Sequence, residues 1–253
     1  RDRDVTGVQT CALPICLVFL MLFLRSLLYF LGSTLVLSFL VALSLVLFFL
    51  PVKYRYGILS KWALFCLWWL KVVLNIKLNV IGKENIPDKA SVIVSNHQST
   101  WETLGLQTIF PHQTWVLKQE LQWIPIFGWG LALLKPIIIN RGEKLKAIKK
   151  VMKQGSARIK EGIFVVVFPE GTRQPYNKLG EYQNGGVAIA KKTDCDIVPV
   201  YHNAGKLWPK GSFVKQPGTI TLVIGKPIKS VGKNASTLTK EVRDWTLTMQ
   251  DKY

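Results

Sequence analysis

His97 and Glu102 stand five residues apart in the stretch Ser95-Asn96-His97-Gln98-Ser99-Thr100-Trp101-Glu102, and their side-chain types could do chemistry together. A carboxylate that holds an imidazole fixes its tautomer, so that the other ring nitrogen can take a proton from a hydroxyl. The spacing sets a condition. Five residues of regular helix rotate by roughly 140°, so the two side chains do not share a helix face. They meet only if His97 stands in a turn and Glu102 in the first helical turn after it, folded back. A strand-like run, Val92-Ile93-Val94, precedes the pair and a helical pattern begins near Trp101, which supplies that arrangement. The octapeptide carries a second reading, because Ser99-x-x-Glu102 is also a capping box that satisfies free backbone donors at a helix start.

Three further groups come after apolar runs in the same way. Phe168-Pro169-Glu170-Gly171-Thr172-Arg173 ends the run 163–168. Pro169 stops a strand ladder and Gly171 permits a tight turn, so Glu170, Thr172 and Arg173 are displayed at a strand's carboxyl end. Open α/β sheets bind ligands there, and the planar fork of an arginine suits a phosphate. Lys118, in Lys118-Gln119-Glu120-Leu121, and Arg141, after Ile139-Asn140, leave two other runs. A rim with one base and three cations suits a phosphorylated substrate that bears a hydroxyl. The bland alternative is a set of solvated turns.

The elements that must position these residues alternate. Apolar or β-branched runs at 78–81, 92–94, 115–117, 137–139, 164–168, 197–200 and 220–224 read as strands. Helical patterns lie between them, one with Leu145, Ile148, Val151, Met152 and Ile159 on a stripe, and a last one runs over 236–249. Such alternation predicts an α/β domain over 76–253, with a largely parallel central sheet flanked by helices.

Composition places this domain at a membrane. The chain has 253 residues, 49% of them hydrophobic, and a net charge of +18 from 33 basic and 15 acidic residues. The charge asks for an anionic partner, and the apolar N-terminal part favours a membrane surface over nucleic acid. Residues 27–50 are apolar for long enough to span a hydrocarbon core of roughly 30 Å. Lys53, Arg55 and Lys61 come after that run and Arg25 before it, a bias that puts the C-terminal bulk in the cytoplasm. A hairpin dipping into one leaflet is the alternative. A second, aromatic helix over about 58–74 reads as interfacial, giving a membrane-anchoring helical segment over 17–75. Residues 1–16 fit poorly with the rest of the chain and read as a non-native segment, with Met21 as a plausible start. Four cysteines without a CxxC pair point to neither a metal site nor a disulfide framework.

Taken together, these blocks resemble the 1-acyl-glycerol-3-phosphate acyltransferase family, the PlsC-type membrane enzymes of bacterial phospholipid synthesis. Asn96-His97-x4-Glu102 matches its first block, and Lys118-x-Glu120-Leu121 through Pro125 and Gly128-Trp129, with Arg141 beyond, its second. Phe168 to Arg173 matches its third unaltered, and Ile197-Val198-Pro199-Val200 its fourth. Two positions depart from the pattern: many members carry aspartate in place of Glu102, and serine often stands where this chain has Gln174.

The resemblance implies transfer of a fatty acyl group from an acyl thioester, on acyl carrier protein or coenzyme A, to the 2-hydroxyl of a lysophosphatidate at the inner membrane. It implies His97 as base and Glu102 as its support. Lys118, Arg141 and Arg173 would clamp the phosphate, and Glu170, Gly171 and Thr172 would position the glycerol or the oxyanion. Residues 123–129 would line a slot for acyl chains. No cofactor, metal or nucleic acid is called for. Alternatives are glycerol 3-phosphate or another lysophospholipid as acceptor, a metallohydrolase using His112 or His202, for which the ligand spacing is wrong, and a non-enzymatic basic membrane adaptor.

Overall fold

A computed structural model describes residues 6–46, 49–134, 136–140 and 144–253. Two long helices, α1 (Thr6–Val46) and α2 (Val52–Leu74), lead into a seven-stranded sheet. Its strands are β1 (Ile76–Ile81), β2 (Val92–Ser95), β3 (Gln113–Lys118), β4 (Ile137–Ile139), β5 (Phe164–Val167), β6 (Ile197–His202) and β7 (Gly218–Ile224). They lie in the order β1-β7-β6-β2-β5-β3-β4, all neighbours parallel except β6 and β7. The helices between them are α3 (Trp101–Ile109), α4 (Phe127–Leu133), α5 (Lys144–Lys160) and α6 (Gly185–Thr193), and α7 (Ala235–Lys252) closes the chain.

Side-chain alternation divides the core into two layers. Ile93, Val166, Val198, Ile220 and Leu222 face α2 and α3, packing with Leu70, Leu74, Trp101 and Leu106. Val92, Val94, Val165, Val167 and Ile197 face the opposite layer, with Val187 and Ile189 of α6 and Leu238 and Val242 of α7. Strands β2 and β5 are therefore buried on both faces, which is why their sequences are unbroken apolar runs. Gly155 lets α5 approach α6, since a Cβ there would meet Ile189 at 2.6 Å.

The two N-terminal helices pack on each other. Trp62 Nε1 donates to Ser33 O at 2.8 Å and Trp69 Nε1 to Leu28 O at 3.3 Å. A Cβ at residue 32 would overlap the Trp69 indole, so Gly32 is what permits the contact. Both helices are long and apolar enough to cross a membrane, and α1 exposes Leu17, Phe19, Leu31, Leu35 and Phe39 along much of its length. Their limits differ from the expected 27–50 and 58–74. The first begins far earlier and stops at Val46, and the second starts right after Pro51. Pro51, with φ −52°, stands at the cap of the second helix, where its fixed φ suits a helix start. On α5 the expected stripe is kept at Ile159, which packs against the core, while the Leu145 side chain lies outside those described. Val151, Gly155 and Ser156 are buried, whereas Ile148 is half-exposed.

Candidate active site

Parallel register gathers the chemistry at one edge. Val94 lies between Val167 and Pro199, Trp115 beside Val166, and Lys118 beside Ile139. Counting forward from these pairs, His97, Lys118, Glu170 and His202 leave their strands at nearly one level. Arg141, expected in the same rim, lies outside the described residues.

Glu102 folds back as its position in the first turn of α3 requires. Its Oε1 is 2.5 Å from His97 Nδ1, and both carboxylate oxygens accept the Ser99 N–H, at 3.1 and 2.9 Å. Ser99 Oγ in turn accepts the Trp101 N–H at 3.1 Å. The capping reading and the catalytic reading thus describe the same carboxylate. It is fully buried, while the His97 ring keeps 14% exposure and stacks on Phe168 with centroids 4.3 Å apart and planes at 14°. With Nδ1 engaged by a carboxylate, the ring carries its proton there and its Nε2 lone pair is available, having no partner among the described residues.

The peptide that carries His97 is pinned from both sides. Its N–H donates to Glu170 Oε1 at 2.8 Å, and its carbonyl accepts the Gln174 N–H at 2.7 Å. On the other flank, the Asn96 side chain accepts from His202 N at 3.0 Å and donates to His202 O at 2.9 Å. Gln98 Oε1 accepts from Gly205 N at 3.3 Å. The imidazole therefore stands on a rigid segment, as a base in fixed register with its substrate must.

Glu170, expected to position the glycerol or the oxyanion, is engaged by backbone. Its second oxygen accepts the Gly180 N–H at 3.0 Å, so both oxygens bind backbone and neither is directed to a ligand by these contacts. Burial pushes its pKa up to about 7, against the lowering effect of those two N–H donors. Gly171 takes φ +68° and its N–H bonds to Phe168 O at 3.0 Å, which closes the turn. That bond occupies a donor expected to serve an oxyanion. Thr172 is exposed at the tip, and the Arg173 guanidinium has no ion-pair partner among the described residues. Lys118 ends β3 as an exposed side chain. Trp123, Ile124 and Trp129 are exposed on α4 and the turn before it, and α4 meets α1 where Gly130 lies against Val41.

One residue at this edge, Lys210, escaped the sequence reading, and His202 entered it only as a metal ligand of the metallohydrolase alternative. His202 is fully buried, 3.7 Å from Glu102 Oε2. Its Nδ1 accepts the Ala204 N–H at 3.3 Å, so Nε2 carries the proton and donates it to Asn96 O at 3.0 Å. Burial lowers its pKa and keeps it neutral behind the carboxylate. Lys210 reaches Thr172 and Arg173 from the segment after β6. The repeated pattern of strand ends could have pointed to His202, which ends β6; nothing local marks Lys210. Among the described residues no group of three or more His, Cys, Asp or Glu side chains gathers as a metal site would.

The family model described as Acyltransferase matches residues 77–203, from β1 to just past the end of β6. The chain belongs to the acyltransferase family. Its relatives include the 1-acyl-sn-glycerol-3-phosphate acyltransferase of Pseudomonas aeruginosa, 45% identical over 185 residues that cover 73% of this chain and 72% of the relative. A chloroplastic enzyme of the same name from Arabidopsis thaliana is 30% identical over 195 residues, which are 76% of this chain and 52% of that one. The crystal structure of the 1-acyl-sn-glycerophosphate acyltransferase PlsC from Thermotoga maritima superposes with a TM-score of 0.78 at 26% identity. That match covers 93% of this acyltransferase and 96% of the Thermotoga chain, so it extends over the N-terminal helices as well as the sheet.

Proposed function

We propose that this acyltransferase moves a fatty acyl group from an acyl thioester to the sn-2 hydroxyl of 1-acyl-glycerol 3-phosphate, giving phosphatidic acid. The observation that carries the reading is the His97 imidazole, braced at Nδ1 by buried Glu102. Its open Nε2 stands at the strand edge that also presents Arg173 and Lys118. His97 Nε2 takes the hydroxyl proton as the oxygen attacks the thioester carbonyl, a general-base contribution of about 10²–10⁴-fold. Glu102 stabilises the imidazolium. The tetrahedral adduct collapses with cleavage of the C–S bond, and the departing thiolate takes the proton from His97. The substrate supplies the nucleophile, so no protein-bound acyl intermediate is required. Arg173 and Lys118 hold the phosphate and with it the position of the hydroxyl.

The donor is an acyl thioester of acyl carrier protein or coenzyme A, which the basic surface suits equally. The enzyme acts at the bacterial inner membrane with its catalytic edge on the cytoplasmic side, a reading supported by Lys53, Arg55 and Lys61 after the first apolar helix.

Purified protein in lipid–detergent micelles, given radiolabelled lysophosphatidate and each donor type, should form phosphatidate. His97→Ala should retain no more than about a hundredth of the wild-type rate while staying membrane-bound. Unimpaired turnover by that variant would remove the base assignment, and preference for glycerol 3-phosphate or another lysophospholipid would replace the acceptor.

A further inference from the structure

Between β6 and β7 the segment 207–218 passes over the catalytic edge and carries a lysine to which the acyl-transfer mechanism assigns no part. Pro209-Lys210-Gly211-Ser212 forms a tight turn, with the Ser212 N–H donating to Pro209 O at 3.1 Å and Gly211 at φ +76°. Positive φ at the third position makes this a type II turn, whose second residue sits at the outer corner. That residue is Lys210. Its Nζ lies 3.5 Å from Thr172 Oγ1 and 3.3 Å from Arg173 O, both neutral oxygens, and no carboxylate pairs with it among the described residues. An ammonium thus rests on the very turn that displays the unpaired Arg173 guanidinium. Two cations brought to one turn, with no carboxylate on either among the described residues, favour an anion that both can reach.

The turn is also held in place. The Lys215 N–H donates to Ser26 Oγ of α1 at 3.1 Å. The Phe213 ring lies 5.4 Å from that of Phe23 and 6.1 Å from that of Phe30, and Trp208 meets Tyr29 edge-on at 5.7 Å. The segment is a strap between the anchor helix and the turn after β5, and Lys210 sits at its point of contact with that turn.

We propose that Lys210 is a further ligand of the acceptor's phosphate, acting with Arg173 at the turn after β5. The inference rests on the acyl-transfer reading and names one more group that confers preference for a phosphorylated acceptor. A lysine bound there supplies charge and a donor, so its loss weakens acceptor binding without removing the base.

The test compares wild type with Lys210→Ala, Lys210→Arg and Lys206→Ala, the last removing an exposed lysine, just before the strap, whose side chain makes no hydrogen bond or ion pair to residues 168–174 among the described residues. Lys210→Ala should raise the KM for lysophosphatidate roughly five- to thirtyfold at nearly unchanged kcat. Lys210→Arg should restore most of the loss, and Lys206→Ala should leave KM in place. Phosphate binding is read separately, without turnover, as the stabilisation of the detergent-solubilised protein by inorganic phosphate. Wild type and Lys206→Ala should respond, while Lys210→Ala and Arg173→Ala should respond weakly. An unchanged KM, a loss of kcat alone, or an equal effect of Lys206→Ala would overturn the assignment. Wild type that binds phosphate through Lys210 yet transfers no acyl group would instead overturn the acyl-transfer reading, because the binding arm does not depend on chemistry.

Discussion

Glu102 closes the start of α3 and orients the His97 ring with one buried carboxylate, so substitutions there separate two effects. Glu102→Gln keeps the shape but loses the charge that favours an imidazolium. Its kcat should fall by about 10²–10⁴-fold with the fold intact. Glu102→Ala also leaves backbone and imidazole groups unpaired in the interior and should cost about 3–5 kcal/mol in thermal unfolding. A Gln variant with wild-type kcat would show that the charge is idle. Glu170 offers a pH signature. Its folded pKa, about 7, lies above the ordinary carboxylate value of 4.5, so between those values the folded state holds a proton that the unfolded state has released. Wild type should therefore lose stability relative to Glu170→Gln as pH rises from 4.5 through 7, a change read from melting temperature. A gain over that window would mean that the two N–H donors, not burial, govern this carboxyl group. Glu170 also shows what residue types leave undecided. A glutamate three residues before an arginine reads as a ligand group, yet its oxygens bind His97 N and Gly180 N, partners 73 and 10 residues away in sequence.

At the scale of elements, the strap between β6 and β7 is the least conventional part. Lys215 is buried in it with no carboxylate partner among the described residues, its Nζ 4.5 Å from the Trp208 ring, 5.1 Å from Tyr29 and 5.3 Å from Phe213, and it donates to Phe213 O at 2.9 Å. Lys215→Ala removes those cation–π contacts and the aliphatic stem that fills the space. It should lower stability by roughly 1–3 kcal/mol, measured by thermal unfolding in detergent. A variant as stable as wild type would show that the strap is held without the lysine. All seven strands were legible because each contains a short run rich in apolar or β-branched residues, and the doubly buried β2 and β5 admit almost no polar residue. The histidine–carboxylate pair was legible because its two members are five residues apart and the turn between them is local. What sequence hid depends on distance along the chain. Asn96 meets His202 across 106 residues, and Lys210 meets Thr172 across 38. The start of α2 was hidden for another reason: only Pro51 marks it, ahead of Lys53 and Arg55, which read as a break in the apolar pattern.

For the whole molecule, the arrangement of α1 matters most. Its residues from Phe23 to Phe30 grip the strap, and Val41 meets Gly130 of α4. The strap that α1 grips touches the turn after β5, at the carboxyl edge of the sheet where His97 stands. Exposed apolar side chains along α1 should keep the protein on membranes through a salt wash and release it to detergent, as measured by sedimentation. Release by salt alone would make the charge of +18 the sole attachment. Because the helix that meets the lipid also supports the strap over the catalytic edge, the search for an acceptor is confined to two dimensions. Turnover should then track the mole fraction of lysophosphatidate in the surface and not its amount per volume. Adding inert lipid at constant total acceptor should slow the enzyme, as it would not slow a catalyst that draws its substrate from water.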